Sequence, residues 1–301
     1  MTRHQLAADA SLLFVTAVWG ATFVMVQDAV MGFPVFAFLA LRFALAAAVL
    51  LPLAREASSP LPHDRRPLAR ALPGVLVGLA LFAGYAFQTF GLRYTTPAKA
   101  GFITGMSVVL VPLGQAIFLR RAPGLGPTAG VLLAAVGLAL LSLEPNLAVG
   151  LGDLLVLACA FSFAAHILLV GRFAPTWSPA RLALAQIATV AVLSSLAALA
   201  VEQPLPWPAR NVWFAAAFTG LLATALAFFV QSRAQQATSP THTALIFAAE
   251  PVFAGVFSYL LIGEILGPRQ LLGSALILAG MLTAELGSLW HRRSQSAGSP
   301  A

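Results

Sequence analysis

Glu250 stands beside Pro251 in an otherwise apolar stretch, AAEPVFAGVFSYLLIGE, which covers residues 248–264. A carboxylate in such a stretch could bind a substrate amine or exchange a proton, because ionisable groups inside a membrane face a cavity or a partner. A structural role is the alternative, since a hydrogen-bonded carboxyl can accompany a proline that leaves the carbonyl one turn earlier without a donor. The residue types alone keep both roles open.

Two further apolar stretches carry isolated side chains that could line a solute cavity. His166 follows Ser162 by one helical turn, so both lie on the same helix face. Thr22 follows Trp19 by three residues, and Trp19 lies near the middle of its stretch rather than at a membrane interface, where tryptophan is enriched. Proton transfer by His166 and solute contact by the others are candidate roles. Packed, hydrogen-bonded side chains are the alternative.

Matching stripes recur in two other stretches, where Tyr85 precedes Gln88 and Phe228 precedes Gln231 by three residues. A glutamine that faced lipid would leave several hydrogen bonds unmade, so both glutamines should point inward. They could contact a solute or join neighbouring helices.

Thr104, Ser107 and Lys99 complete the candidate set. Lys99 and His242 each follow a proline by two residues at the start of an apolar stretch, where a basic group could attract a carboxylate or simply extend to the lipid headgroups. Arg42 lies deep in its stretch and is interpreted as structural, capping carbonyls or pairing with a neighbouring helix. The predicted substrate-binding residues are Trp19, Thr22, Tyr85, Gln88, Lys99, Thr104, Ser107, Ser162, His166, Phe228, Gln231 and Glu250. No catalytic residue, metal ligand or cofactor is expected.

The stretches that position these residues belong to an integral membrane protein. Fifty-nine per cent of the 301 residues are hydrophobic and 9% are charged, whereas soluble domains carry roughly a quarter charged residues. The first apolar stretch, from about Ala8, is too long for a signal peptide and lacks a convincing cleavage site, so it is interpreted as an uncleaved span. Cys159 is the one cysteine, which leaves no disulfide framework.

Apolar stretches of membrane length predict an all-α protein with ten transmembrane helices. These spans cover residues 8–28, 33–53, 71–92, 97–119, 127–143, 152–171, 178–201, 211–233, 240–262 and 268–289.

Lys and Arg residues at the span ends and in the loops lie mostly on one side of the membrane. The side that holds the N-terminus has Arg3, Arg55, Arg65, Arg66, Arg70, Arg120, Arg121, Arg172, Arg181, Arg233, Arg292 and Arg293. The other side has Arg93, Lys99, Arg210 and Arg269. Twelve against four places both termini in the cytoplasm by the positive-inside rule. Because the basic residues lie in short loops, the net charge of +7 does not indicate nucleic-acid binding.

An internal repeat divides the chain into residues 1–150 and 151–301. The segment 95–142 aligns without gaps on 238–285 at an offset of 143, which pairs Pro97 with Pro240, Ser107 with Glu250, Gly130 with Gly273 and Gly137 with Gly280. An offset of 144 pairs Asp9 with Asp153. Five spans in each half is an odd number, so the halves should enter the membrane from opposite faces as inverted repeats. Such folds commonly bind substrate near the midplane and alternate access to it.

The segment ALIFAAEPVFAGVFSYLLIGEILGPRQLLGSALILAG resembles the second repeat of an EamA-type member of the drug/metabolite transporter superfamily. Glu250–Pro251, Gly263–Glu264 and the glycine-rich last span match the family pattern, as do ALRFALAAAVLLPLA in span 2 and SLLFVTAVWGATFVMVQ in span 1. The first repeat departs from the second by having Arg120–Arg121 where the second has Gly263–Glu264. Within the superfamily, the chain most resembles bacterial amino-acid and metabolite exporters.

This resemblance implies a multi-pass protein of the bacterial plasma (inner) membrane that exports small metabolites by alternating access. Amino acids, aromatic or of broad specificity, are the first-choice substrate class, and drugs, nucleosides or sugar derivatives are the alternatives. The expected partners are the solute and membrane lipid, with a proton as a candidate coupling ion, and a monomer is compatible with the pattern. A membrane enzyme is the less favoured class, because the chain has no H-E-x-x-H or G-x-S-x-G sequence, and without a Walker A sequence ATP-driven transport would need a partner. A channel would need rings of like charge or filters of backbone carbonyls, and one chain of ten divergent helices offers neither.

Overall fold

The computed structural model describes residues 3–57, 67–95, 97–118, 124–142, 150–262, 267–269, 271–280 and 282–283, and every regular element in these ranges is a helix. The helices in the first half are α1 Arg3–Met31, α2 Val35–Glu56, α3 Pro67–Gly91, α4 Pro97–Gly105, α5 Ser107–Phe118 and α6 Leu125–Ser142. Those in the second half are α7 Leu151–Phe173, α8 Pro179–Val201, α9 Arg210–Gly220, α10 Ala227–Ala234, α11 Pro240–Phe247, α12 Glu250–Ile262 and α13 Leu271–Gly280.

Six helical stretches in the described part of the chain are long and apolar enough to cross a membrane. They are Gln5–Met31, Val35–Glu56, Ala71–Gly91, Leu151–Thr176, Pro179–Val201 and Arg210–Ala234. They correspond to predicted spans 1, 2, 3, 6, 7 and 8, so the part of the chain that the structure describes confirms a helical membrane protein. The other four predicted spans are described as the broken pairs α4–α5 and α11–α12 and as the shorter helices α6 and α13. A count of ten transmembrane helices therefore stays a prediction.

The two broken spans are interrupted at corresponding places. The first break falls at Met106, between α4 and α5, and the second at Ala248 and Ala249, between α11 and α12. An offset of 143 lays Met106 on Ala249. At the second break, Pro251 has no N–H to donate to the carbonyl of Phe247, so it suits the first turn of a new helix better than the interior of an old one. Each break thus starts a fresh helix inside an apolar stretch.

A π-helical segment, Leu221–Leu226, joins α9 to α10. Its wider turn leaves carbonyl groups available to side chains of other helices. The carbonyl oxygen of Ala223 accepts hydrogen bonds from Trp19 Nε1 at 2.8 Å and from Arg42 Nη2 at 3.4 Å. One distorted turn therefore fastens α1 and α2 to the α9–α10 stretch.

Helices of the first half pack on helices of the second half. α2 lies along α8, α3 packs on α7, α1 packs on α10, and α5 contacts α11. The contact of α2 with α8 is filled by fully buried apolar side chains, among them Phe38, Phe43, Ile187 and Val190. These apolar side chains pack closely and fix how the two helices are rotated. Their rotation decides which helix faces are left to carry polar groups.

Glycines allow α6 and α13 to approach closely at two points. A Cβ atom on Gly137 would lie 2.6 Å from the carbonyl oxygen of Gly273, and a Cβ on Gly280 would lie 2.6 Å from the carbonyl oxygen of Gly130. The offset of 143 converts one contact into the other. Only glycine permits backbones to come this near, as in other small-residue contacts between membrane helices.

Two side chains cap helix ends in the same reciprocal way. Arg93 donates to the carbonyl oxygens of Val30 and Phe33, each at 2.9 Å. Gln236 donates to those of Ala174 and Trp177, at 3.1 and 3.0 Å. Gln236 lies 143 residues after Arg93, and the two acceptors lie 144 residues after theirs. Both side chains supply donors to carbonyls that the helices themselves leave unsatisfied.

Candidate functional site

A cavity of about 70 Å³ lies among α1, α2, α3, α7, α10 and the two broken spans. This volume has room for several water molecules, since one water needs roughly 10–15 Å³ by the same measure. Ten of the twelve predicted residues line it: Trp19, Thr22, Tyr85, Gln88, Thr104, Ser107, His166, Phe228, Gln231 and Glu250. The structure therefore brings them together, and their contact with a solute stays a prediction.

One wall of the cavity is aromatic. The Trp19 ring lies 4.9 Å from the Phe247 ring in an edge-on arrangement and 5.8 Å from the Phe228 ring. The hydrogen bond from Trp19 Nε1 to the Ala223 carbonyl fixes the indole, so its face rather than its N–H is available to a bound molecule. Phe228 also contacts the rings of Tyr85 and His166, which makes the wall continuous.

A second wall carries hydrogen-bonding groups from the first half of the chain. Gln88 Nε2 donates to Thr104 Oγ1 at 3.1 Å, and Thr104 Oγ1 lies 3.9 Å from the buried thiol of Cys159. The bond joins α3 to α4 just before the break at Met106. Ser107 begins α5 on the other side of that break and is buried against the cavity.

His166 belongs to a buried chain of polar side chains that joins three helices. Its Nε2 lies 2.6 Å from Gln186 Oε1, and Gln186 Nε2 donates to Ser232 Oγ at 3.3 Å. Since Gln186 Oε1 can only accept, His166 Nε2 is the donor and carries the hydrogen. The imidazole is thereby held in place between α7 and α8, and its ring edge faces Phe228.

Gln231 presents an acceptor whose capacity is not used within the described residues. Its Nε2 donates to Gln235 Oε1 at 2.9 Å, and Gln235 Nε2 donates to the carbonyl of Ile167 at 3.0 Å. The Gln231 Oε1 atom is buried and has no hydrogen-bond partner in the part of the chain that the structure describes. A buried unsatisfied oxygen costs about 1–3 kcal/mol, so a hydrogen bond donated by a bound molecule would be stabilising there.

Glu250 is the first residue of α12 and lines the cavity beside the second helix break. The first turn of a helix presents unpaired N–H groups and the positive end of the helix dipole, both of which favour a carboxylate. No described residue pairs with this carboxylate. Glu250 is half-buried, in contact with the cavity rather than sealed in the protein.

Ser162 is not among the residues that line the cavity, and the placement of Lys99 stays a prediction. Ser162 donates to the carbonyl of Ala158 at 2.8 Å, a bond within its own helix. The side chain of Lys99 lies outside the described part of the structure. His242, paired with Lys99 in the sequence, is not among the lining residues, and its Nε2 is 3.0 Å from Asp9 Oδ1.

The cavity also contains residues that the sequence did not suggest. Arg42 lines it and is 3% exposed, with Nε donating to Thr224 Oγ1 at 2.7 Å. Its bond to the Ala223 carbonyl agrees with the predicted capping role, but its place in the cavity wall was missed. Phe163 and Phe247 were missed as well, because a phenylalanine in an apolar helix gives no signal of which face it occupies.

Known proteins with similar sequences are described as transporters. The sequence pattern of the EamA-like transporter family matches residues 6–143 and again residues 150–284. An "Uncharacterized transporter" of Archaeoglobus fulgidus is 34% identical over 94% of this chain and 87% of its own length. The "Uncharacterized transporter YyaM" of Bacillus subtilis is 25% identical over 88% and 89%.

A solved crystal structure has a similar fold. It covers 93% of this chain and 98% of its own, with a TM-score of 0.75 and 21% identity. At that identity, the likeness concerns the fold and not the substrate.

Proposed function

We propose that this chain, which belongs to the EamA-like transporter family, exports small metabolites, amino acids first among them, across the plasma membrane of a bacterium by alternating access. The observation that carries the proposal is the cavity itself. Polar groups from both halves, a carboxylate and an aromatic wall meet beside two broken helices. Broken helices that expose helix ends around a central site are typical of secondary transporters.

Reciprocal contacts support two inverted five-helix repeats, residues 1–150 and 151–301, as the framework of this mechanism. The glycine contacts between α6 and α13 exchange under the offset of 143. The caps formed by Arg93 and Gln236 exchange under offsets of 143 and 144. Contacts that map onto each other in this way are expected around a two-fold axis. The double match of the family pattern is consistent with the same arrangement.

We infer that two further polar contacts close the cavity at its opposite ends. Near the start of α1, Asp9 accepts from His242 of α11 at 3.0 Å. Near the start of α7, Asp153 accepts from Thr95 Oγ1 at 2.5 Å and from the Gly150 amide at 3.0 Å. Asp9 and Asp153 correspond in the repeat, so inverted halves put them at opposite faces of the membrane. Alternating access would break one contact while keeping the other.

Other solutes compete with amino acids for this cavity. An aromatic wall and one carboxylate would also suit a cationic drug, and nucleosides or sugar derivatives would use the glutamine side chains. A proton on Glu250 is a candidate coupling ion, because the carboxylate has no described protein partner.

The experiment is tracer exchange by the purified protein in liposomes. Separate pools of amino acids, nucleosides, nucleotide sugars and cationic drugs are loaded inside, and uptake of the same labelled solutes is followed. Saturable exchange of amino acids is the expected result, with control vesicles that contain Trp19→Ala protein exchanging less. Saturable exchange of another pool instead would replace the substrate class. No saturable exchange of any pool would contradict transport by this cavity.

A further inference from the structure

We propose that Arg42 binds a carboxylate of the transported solute, so that the cavity selects zwitterions with a carboxylate at Arg42 and an ammonium group near Glu250. This inference rests on the proposed transport function and narrows its substrate class.

The first observation is the set of partners around the Arg42 guanidinium, all of which are neutral. Nε donates to Thr224 Oγ1 at 2.7 Å, and Nη2 donates to the Tyr85 hydroxyl at 3.3 Å and to the Ala223 carbonyl at 3.4 Å. The ring of Tyr85 lies 4.7 Å from the guanidinium carbon and that of Phe43 lies 5.6 Å away. No carboxylate among the described residues pairs with this charge.

The second observation is the count of donors. A guanidinium has five N–H groups, one on Nε and two on each terminal nitrogen. The three bonds occupy Nε and Nη2, which leaves both N–H groups of Nη1 without a partner in the described part of the chain. The side chain is 3% exposed and lines the cavity. Two donors of a buried cation are therefore available to whatever occupies that space.

An uncompensated buried charge is unusual in proteins. Buried ions are normally paired, because neutral hydrogen bonds and aromatic rings return only part of the lost hydration. Contact with an aromatic face stabilises a cation by much less than the hydration that burial removes. A carboxylate is the natural partner, since its two oxygens match the planar fork of a guanidinium.

The rest of the cavity supplies what the other end of a zwitterion needs. Glu250 provides a carboxylate without a described partner, and Gln231 provides a buried acceptor oxygen that no described group uses. The faces of Trp19 and Phe247 are suited to a cation or to an apolar side chain. A solute with an amine alone would leave Arg42 unpaired, and one with a carboxylate alone would leave Glu250 unpaired. Sites of this type discriminate strongly against analogues that lack one charged group.

A structural role of Arg42 does not use the two N–H groups of Nη1. Nε and Nη2 already join α2 to Thr224 and to the π-helical segment, and these bonds alone would hold the helices together. Thr224→Val removes the strongest of these bonds without touching the cavity lining, so it is the matched control for lost helix attachment.

The test compares three pools in liposomes that contain the full-length protein. One pool holds the twenty standard amino acids, the second their carboxamides, and the third the amines left after removal of the carboxyl group. Each is offered as an inhibitor of exchange of a labelled amino-acid mixture. We expect the carboxamides and amines to inhibit about tenfold more weakly or worse, because a charged hydrogen-bonded partner is lost. Equal inhibition by the carboxamides would overturn the inference while leaving amino-acid transport intact.

The Arg42→Gln variant makes the assignment to this residue. We expect folded Arg42→Gln protein to lose the preference for amino acids over carboxamides, whereas Thr224→Val protein keeps it despite a lower melting temperature. An unchanged preference in folded Arg42→Gln would overturn the inference. If Arg42→Gln does not fold, Arg42→Lys takes its place, because lysine keeps the charge but lacks the planar fork of a guanidinium, and an unchanged preference there would overturn the assignment to Arg42. If the unmodified protein exchanges no labelled amino acid, the proposed function itself fails, and the inference fails with it.

Discussion

Replacing Gly137 by alanine tests the close approach of α6 and α13. The new Cβ would lie 2.6 Å from the Gly273 carbonyl oxygen, 0.8 Å short of the 3.4 Å at which ordinary contact begins, and also 2.8 Å from the Ile277 nitrogen. Both obstacles are backbone atoms, so the helices must separate. Overpacking of this kind costs about 1–3 kcal/mol, from which about 0.5–1 kcal/mol of helix propensity gained over glycine is subtracted. The difference is roughly 0–2.5 kcal/mol, and we expect a net loss of about 1 kcal/mol.

The assay is thermal unfolding in detergent, followed by the loss of monodisperse protein. Gly137→Ala and Gly280→Ala should each lower the melting temperature by a few degrees and by similar amounts, because their contacts correspond. One separation of the helices relieves both clashes, so the double variant should lose less than the sum of the single ones. Gly101→Ala is the control, since nothing lies within 4 Å of its added Cβ, and it should unfold no earlier. Gly137→Ala as stable as Gly101→Ala would refute the helix contact.

Four further outcomes are expected. Glu250→Gln should raise the half-saturation concentration for amine-bearing solutes about tenfold, since a charged partner is lost; unchanged exchange kinetics would reduce Glu250 to a structural residue. Trp19→Phe should preserve exchange better than Trp19→Ala, because it keeps an aromatic face and loses only the bond to the Ala223 carbonyl; equal activity of both would remove Trp19 from the site. His242→Leu should open the end of the cavity near Asp9, whereas Thr95→Val should open the other end. A cysteine in the cavity should then be labelled faster from one side of the membrane in the first variant and from the opposite side in the second. The same labelling pattern in both variants would exclude two separate closures. In a Cys159-free background, a cysteine in the 203–208 loop should react only from outside and one in the 58–64 loop only from the cytoplasm; reaction of the former from the cytoplasm would contradict the ten-span topology.

The sequence was most informative where a polar side chain interrupted an apolar stretch. Gln88, Gln231 and Glu250 could be placed in an inward-facing group because lipid cannot satisfy them, and all three line the cavity. Ser162 was predicted from its place on the helix face of His166, but a serine can bond to the carbonyl four residues earlier in its own helix, and Ser162 does so. Isolated polar residues are therefore reliable markers only when their own helix cannot satisfy them.

Arg42 shows what could not be predicted. It was interpreted as structural from its depth in an apolar stretch, which gives no indication of the groups that surround it in the fold. Its neighbours, the Ala223 carbonyl and Thr224, are brought to it by a π-helical segment, and a six-residue change of helix type leaves no trace in an apolar sequence. The break at Met106 could not be predicted from the sequence either, since no proline stands beside it. Pro251, in contrast, indicates the break at Ala248 and Ala249.

The central claim is that the cavity opens alternately to the two sides of the membrane. The direct measurement places a single cysteine at Ser107, which begins α5 and lines the cavity, in a Cys159→Ser protein. A small, membrane-impermeant methanethiosulfonate reagent is then added to one side or the other of sealed vesicles of known orientation. Alternating access predicts modification from both sides, slowed in each case by a transported amino acid. Modification from one side alone, with or without amino acids, would contradict it.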